Sequence, residues 1–296
     1  MAGLPELPPA YWVGLGLLLG LVVGSFLNVV IHRLPIMLER QWREEFAAAH
    51  PEGAPPEATE AYNLVVPRSA CPACQAPIQA RHNIPVLSWL LLRGRCAKCG
   101  APISARYPLI ELLCGVLSAA VVWKFGLGWP ALGALFVTWF LIALAVIDLE
   151  HKYLYDALTL PLLWGGLAAS LWWSATTATS LPVSPRDAII GAVAGYLSLW
   201  CVYQLFKICT GKEGMGYGDF KLLAALGAWL GWRMLLPIVL CSAAVGSVVG
   251  VALIVISKRG RDVPIPFGPY LAAAGWLAMM WGSPWVSTYL GLYGHR

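Results

Sequence analysis

Between Tyr11 and Ile31 the chain runs without a single charged side chain. A stretch of about 20 residues is what a helix needs to cross the hydrocarbon core of a bilayer. The pattern returns along the chain, at Pro108–Trp123, Ala131–Ile147, Ala157–Trp173, Ala188–Phe206, Leu222–Trp232, Met234–Ile256 and Phe267–Trp281. Only 12% of the 296 residues are charged and 59% are apolar, whereas a soluble domain carries roughly 25% charge. So few charges cannot coat a water-soluble surface, and this hydrophobicity is incompatible with intrinsic disorder. The sequence predicts an all-α polytopic membrane protein of about eight transmembrane helices, with the lipid bilayer as its first partner.

Leu222–Trp232 is the weak member of the set. At about 1.5 Å per residue it covers roughly half a hydrocarbon core, and alone it reads as re-entrant or buried. The basic residues favour a crossing, because Lys and Arg collect on the cytoplasmic side of membrane proteins. With the N-terminus outside and eight crossings, 16 of the 20 Lys and Arg residues fall inside, nine of them between Arg33 and Arg106. Lys124, Arg186, Arg233 and Arg296 fall outside. Omitting the short span would move Lys258, Arg259 and Arg261 outside. The short span is therefore expected to cross, with a local thinning that lets water in. The first helix is expected to be retained, since a signal peptide carries positive charge before its apolar stretch, whereas here Glu6 precedes and Arg33 follows. Its GLGLLLG run, Gly14 to Gly20, suits close helix packing and not dinucleotide binding, because no strand precedes it.

The expected organisation is a first transmembrane helix at 1–31, a polar cytoplasmic domain at 32–107 and a seven-helix membrane domain at 108–296. Within the polar domain Glu39–Glu60 carries six glutamates and three prolines and is expected to be part helix and part loop. Ser174–Pro185 reads as a short Ser/Thr/Pro loop on the far side. No internal repeat is evident.

The polar domain contains Cys71-Pro-Ala-Cys74 and Cys96-Ala-Lys-Cys99, with 21 residues between the pairs. Two C-x-x-C knuckles at this spacing are a strong metal signature. Four thiolates satisfy tetrahedral Zn2+ and leave no open position, so the site reads as structural, and a small domain poor in apolar residues needs such a staple. Two disulfides are the alternative, disfavoured in a compartment that keeps thiols reduced. Cys114, Cys201, Cys209 and Cys241 have no partner pattern and read as small hydrophobes.

Ionisable residues at membrane depth are costly and point to function. Asp148 ends the third span in LAVIDLEHKYLYD, and Asp219 opens the sixth in GMGYGDFKLL. Two crossings separate them, so both lie at one membrane face in either orientation, and parity puts the cysteine domain at that face too. Two carboxylates brought within a few Å share a proton. The ionised one can take a proton from water attacking a peptide carbonyl while the neutral one donates to the carbonyl oxygen. Gly214, Gly216 and Gly218 would let a substrate backbone come close, and the N-terminus of a helix favours an anion at Asp219. Structural alternatives are an i, i+4 pairing of Asp148 with Lys152 and an N-cap role for Asp219. Glu111 reads as structural, paired with a basic residue of the nearby loop. Asp156 reads as a loop or capping residue, and Glu150 and His151 as solvated and interfacial.

At these residues the sequence resembles the prepilin peptidases, or type IV leader peptidases, of the GxGD intramembrane aspartyl protease class. GSFLNVVIHRLP (Gly24–Pro35), both C-x-x-C pairs, the intervening NIPVLSWLLLRGRC, the following ISARYPLIELLCG, AVIDLEHKYLYD, Gly216-Tyr217-Gly218-Asp219 and IPFGPYLAAAG all look like the family's motifs. One departure is Tyr155, where the family often has Pro before the later acid, Asp156. The resemblance implies a multi-pass protein of the bacterial inner membrane. It implies cleavage, after a glycine at the cytoplasmic face, of the basic leaders of type IV prepilins and type II secretion pseudopilins by Asp148 and Asp219. It also implies N-methylation of the new N-terminus with S-adenosylmethionine, since members with both activities usually carry the cysteine domain. The partners implied are prepilins and pseudopilins, with no nucleic acid. A prepilin helix would enter laterally between spans with its basic leader in the cytosol, attracted by Glu150, Asp156 and Glu213. The rival readings are an ion- or proton-coupled transporter with a regulatory zinc domain, a methyltransferase without protease activity, and a zinc-dependent assembly scaffold. The transporter predicts inverted repeats of half-helices, of which the sequence shows none.

Overall fold

The architecture was taken from a computed structural model that describes residues 8–50, 61–173, 181, 183–257 and 266–293. Among the described residues all regular structure is helical apart from two isolated β-bridges. The helices are α1 (Pro9–Ala49), the single-turn α2 (Leu87–Leu91), α3 (Arg106–Phe125), α4 (Trp129–His151), α5 (Asp156–Trp173), α6 (Pro185–Thr210), α7 (Tyr217–Leu230), α8 (Leu235–Ser257) and α9 (Gly268–Tyr293). The apolar segments fall on helices, the sixth on the short α7, which ends at Leu230. Among the described residues five stretches are long and apolar enough to cross a membrane: α1, α3, α4, α6 and Trp232–Leu253. The protein is therefore a multi-pass membrane protein. Lys258, Arg259, Arg261 and Arg296, on which part of the charge count rests, and most of the Ser174–Pro185 loop lie outside the described residues.

The chain divides into two compact units, Met1–Gly126 and Leu127–Arg296. In the first, α1 and α3 pack as an antiparallel pair. Gly16, Gly20 and Gly24 recur every fourth residue of α1 and face Val122, Ser118, Cys114 and Glu111 of α3. Small residues at this spacing let two membrane helices approach to backbone contact. The first helix does not stop at Ile31 as expected from hydropathy. It continues to Ala49 through Pro35, because Met37-Leu-Glu-Arg-Gln is built of helix formers and is braced by i, i+4 contacts. Arg43 lies 3.6 Å from Glu39, and the Gln41 amide donates to Glu45 at 2.9 Å. The expectation of helix within Glu39–Glu60 is met up to Ala49, and residues 51–60 lie outside the description.

The second unit is organised around α7. This helix has 14 residues, about 21 Å, and from Asp219 to Gly231 every residue except Lys221 is buried. A helix apolar on all sides must be buried on all sides, and α7 packs against α5, α6 and α9. A Cβ on Gly191 of α6 would collide with the backbone carbonyl of Gly227, so α6 lies directly on the α7 backbone. On the opposite flank the Trp229 indole N–H donates to the Leu162 carbonyl of α5 at 2.8 Å. The Trp276 indole of α9 donates to the Thr138 hydroxyl of α4 at 3.1 Å. The brevity of the sixth apolar segment is thus the length of a central helix wrapped by its neighbours.

Candidate active site and metal centre

The four cysteines of the first unit converge. Their Sγ atoms all lie within 4.8 Å of one another, with Cys71 and Cys99 at 3.8 Å, and all eight cysteines are free thiols. Four sulfurs at about 2.3 Å from one tetrahedral ion stand roughly 3.8 Å apart, so the cluster fits a metal bound by four thiolates. Two backbone N–H groups, from Cys99 and Lys98, stabilise the Cys96 thiolate and lower its pKa to about 6. A thiolate is the form that binds metal.

The local geometry that makes this cluster is a repeat. The Cys71 N–H donates to the Ala76 carbonyl at 3.0 Å, and the Cys96 N–H donates to Ala101 at 2.8 Å. The Gln75 N–H returns to Cys71 at 2.8 Å and Gly100 N–H to Cys96 at 2.9 Å. Ile78 N–H reaches Ser69, and Ile103 N–H reaches Gly94, 25 residues further on in each case. Isolated bridges join Ala70 to Pro77 and Arg95 to Pro102. Both knuckles read C-x-x-C-x-A-P-I. A ten-residue unit thus occurs twice at an offset of 25 residues, too few copies to build a stacked repeat architecture.

In the second unit Asp148 lies in the last turn of α4 and is 5% exposed, and Asp219 lies in the first turn of α7 and is 8% exposed. The two carboxylates interact electrostatically. Asp148 Oδ2 accepts the Gly268 N–H at 3.0 Å, so the carboxylate faces the N-terminus of α9 and its positive end. A Cβ on Gly268 would lie 2.6 Å from that oxygen, so only glycine brings this amide so close. This bond stands in place of the alternative pairing of Asp148 with Lys152. Lys152 instead adopts a left-handed conformation and ends α4, its N–H on the Asp148 carbonyl at 2.8 Å.

Asp219 is not the N-cap of α7. That position is Gly216, with no side-chain cap, and Asp219 points inward from within the first turn. Of the two motif glycines, Gly218 is the one the fold needs, since a Cβ there would meet Leu154 Cβ at 2.6 Å, whereas nothing lies within 4 Å of one at Gly216. Gly216 leaves backbone open beside Asp219. Tyr217, Phe220 and Tyr203 form an aromatic cluster next to it, with ring centroids 5.4–5.7 Å apart.

Asp156, expected as a loop or capping residue, opens α5 and is held by Lys221 Nζ at 2.6 and 2.7 Å. Glu213 is paired with Lys207 at 2.8 Å, and the Lys207 ammonium holds the Glu213 carboxyl below its ordinary pKa. Asp156 and Glu213, expected to attract a leader, are thus already engaged, and Glu150, like His151, is exposed. Glu111 is buried in α3 and accepts the backbone N–H of Val86 at 2.7 Å, where a basic side chain was expected. Cys114 is buried beneath Gly24 of α1, and Cys201, Cys209 and Cys241 are exposed on their helices.

The comparisons with known proteins follow the same division. Residues 18–125 match the bacterial peptidase A24 N-terminal domain, and residues 135–251 match the type IV leader peptidase family, one on each compact unit. The chain is 55% identical over 283 residues to the prepilin leader peptidase/N-methyltransferase of Aeromonas salmonicida (strain A449), covering 95% of both chains. It is 52% identical over 287 residues to the protein of that name from Stutzerimonas stutzeri, covering 95% of both. With the Pseudomonas aeruginosa protein of the same name it shares 51% over 289 residues and 97% of both. No solved structure matches the chain. Near-complete coverage at this identity, with a family match on each unit, means that the chain belongs to the type IV leader peptidase family.

Proposed function

We propose that this protein removes the basic leaders of type IV prepilins and type II secretion pseudopilins, cutting after a glycine at the cytoplasmic face of the bacterial inner membrane. It then N-methylates the exposed N-terminal residue. Relatives of 50% identity and above along nearly the whole chain bear the name prepilin leader peptidase/N-methyltransferase, which supports both halves of this reading. The N-terminus lies outside, the cysteine-bearing segment 32–107 is cytoplasmic, and the peptidase helices lie within 108–296.

The observation that carries the peptidase half is the pair of buried aspartates, 71 positions apart in the chain and electrostatically coupled, Asp219 in the first turn of α7 and Asp148 facing the first residue of α9. Asp148 and Asp219 act as one proton-sharing unit. One carboxylate takes a proton from the attacking water and later passes it to the departing amine, while the other protonates the carbonyl oxygen and takes that proton back as the carbonyl re-forms. The Gly268 N–H fixes the orientation of Asp148. The open backbone at Gly216 lets an extended peptide lie beside Asp219, with the Tyr217–Phe220–Tyr203 cluster as an apolar wall.

The four-cysteine centre holds zinc as a closed structural site, since its donor set fits tetrahedral Zn2+ and leaves no position for water. S-adenosylmethionine supplies an activated methyl group for the second step. The decisive experiment gives a purified prepilin to the wild-type protein and to Asp148→Asn and Asp219→Asn, with and without S-adenosylmethionine. Each variant should lose cleavage by at least about a thousandfold while still methylating a pre-cleaved pilin. Cleavage near the wild-type rate by either variant removes the dyad.

A further inference from the structure

The seam between α1 and α3 contains two polar side chains that the peptidase reading does not use. Asn28 follows Gly16, Gly20 and Gly24 in the same every-fourth-residue row, at the point where α1 meets the start of α3. It is 5% exposed. Its amide nitrogen donates to the Tyr107 carbonyl at 3.1 Å. Its Oδ1 is buried and, among the described residues, has no hydrogen-bond partner. Flipping the amide would set Oδ1 against the Tyr107 carbonyl, acceptor against acceptor, so the orphan is fixed in place. A bare acceptor in a membrane helix is costly, because neither water nor lipid relieves it.

Glu111 lies one turn beyond Tyr107 in α3, about 5–6 Å along the helix, and Gly24, one turn before Asn28, rests on its Cα. Glu111 is 9% exposed. Its Oε2 is taken by the Val86 N–H, and among the described residues no cationic side chain forms an ion pair with it. The two groups together offer an amide oxygen and a carboxylate oxygen, beside the second N–H of the Asn28 amide. Two acceptors on one helix seam, one of them a carboxylate, match a small cation that carries several N–H donors.

We infer that Asn28 and Glu111 form a primary-ammonium subsite that serves the methylation half of the activity. The inference rests on the reading of the protein as a peptidase and N-methyltransferase. Both methylation reactants carry the required group: the newly exposed peptide N-terminus, and the amino-acid end of the methyl donor.

The test measures equilibrium binding to the full-length protein in nanodiscs without aminophospholipid. One arm compares a mature-pilin peptide with its N-acetylated form. The other compares S-adenosylhomocysteine with methylthioadenosine, which lacks the amino-acid end. In at least one arm the free amine should bind about tenfold or more tightly, as a charge-assisted hydrogen bond gives, and that arm names the source. Glu111→Gln, whose amide oxygen still accepts the Val86 N–H, and Asn28→Leu should each abolish the preference and spare leader cleavage. Asn28→Leu should also raise the melting temperature, since it removes the orphan acceptor. Equal binding of both members in both arms by the wild type, or a preference retained by both variants, overturns the subsite. So does displacement of the amine by phosphatidylethanolamine as readily as by peptide. Leader cleavage by the wild type on the same preparation is scored separately, so failure of the enzymatic reading cannot be mistaken for failure of the subsite.

Discussion

The helix that carries Asp219 and the segment that carries the cysteines are held together in opposite ways. From Asp219 to Gly231 only Lys221 escapes burial, whereas across residues 61–105 only Cys71, Ser88 and Gly94 are buried. The first region is ordered by side chains packed on every face of a helix, close enough for Gly227 to meet the Gly191 backbone. The second has almost no core. Its order comes from two copies of one hydrogen-bonded turn and from the four sulfurs those turns bring together. The proton sharing proposed for Asp148 and Asp219 needs a dry, rigid setting, which packing supplies. A knuckle has no such demand and is fixed once a metal binds.

That contrast predicts different responses to losing the metal. Structural zinc sites are worth about 10–16 kcal/mol in small domains, more than the remaining contacts of residues 61–105 can supply. Chelation, or Cys71→Ser, should therefore make that segment protease-sensitive and abolish metal content. The helices of the second unit should survive, with circular dichroism nearly unchanged. Loss of the second unit's helices along with the metal would show that the two regions are not independently held. The complementary break is Gly218→Ala, where the new Cβ meets Leu154 at 2.6 Å. Overpacking of this kind costs about 1–3 kcal/mol and should displace Asp219, so cleavage falls sharply while metal content stays full. Gly216→Ala meets nothing and should leave the melting temperature within about 1 °C. A loss of activity there reports the approach of substrate and not the fold.

Composition and period made the helices legible, and residue chemistry made the four cysteines and the two aspartates legible. What escaped was carried by backbone or by distance along the chain. The Gly268 N–H that orients Asp148 has no side chain to announce it, though it sits in IPFGPYLAAAG, a stretch already similar to the family. The Val86 N–H on Glu111 is equally silent. Lys221 and Asp156 are 65 positions apart, so only the folded packing of α5 on α7 joins them. The burial of α7 on every side was not legible, because hydropathy cannot tell a helix bounded by protein from one bounded by lipid. The overrun of α1 to Ala49 follows from helix propensity, which continues where hydropathy stops.

Smaller perturbations sharpen the contrast. The Asp156–Lys221 pair joins α5 to α7 next to the dyad, but its side chains are 53% and 30% exposed, so it contributes at most about 1 kcal/mol. Asp156→Asn should lower the melting temperature by only a few degrees. The swap Asp156→Lys with Lys221→Asp should restore whatever cleavage each single change removes. Failure of the swap would mean that Lys221 acts on the substrate and not on helix register.

The smallest effect separates the two knuckles from each other. The residue after the second cysteine adopts a left-handed conformation in both, Gln75 at φ 56° and Gly100 at φ 71°. Glycine visits this region freely, whereas a side chain adds roughly 1–2 kcal/mol, offset in part by the extra entropy glycine loses on folding. Gln75→Gly should therefore raise the stability of the metal-bound segment by at most about 1 kcal/mol, and Gly100→Gln should lower it by a similar amount. Slower loss of metal to a chelator from the first variant, and faster loss from the second, would confirm that the turns and not a core set the strength of this region. Equal rates in both would mean that the four metal–sulfur bonds alone decide it.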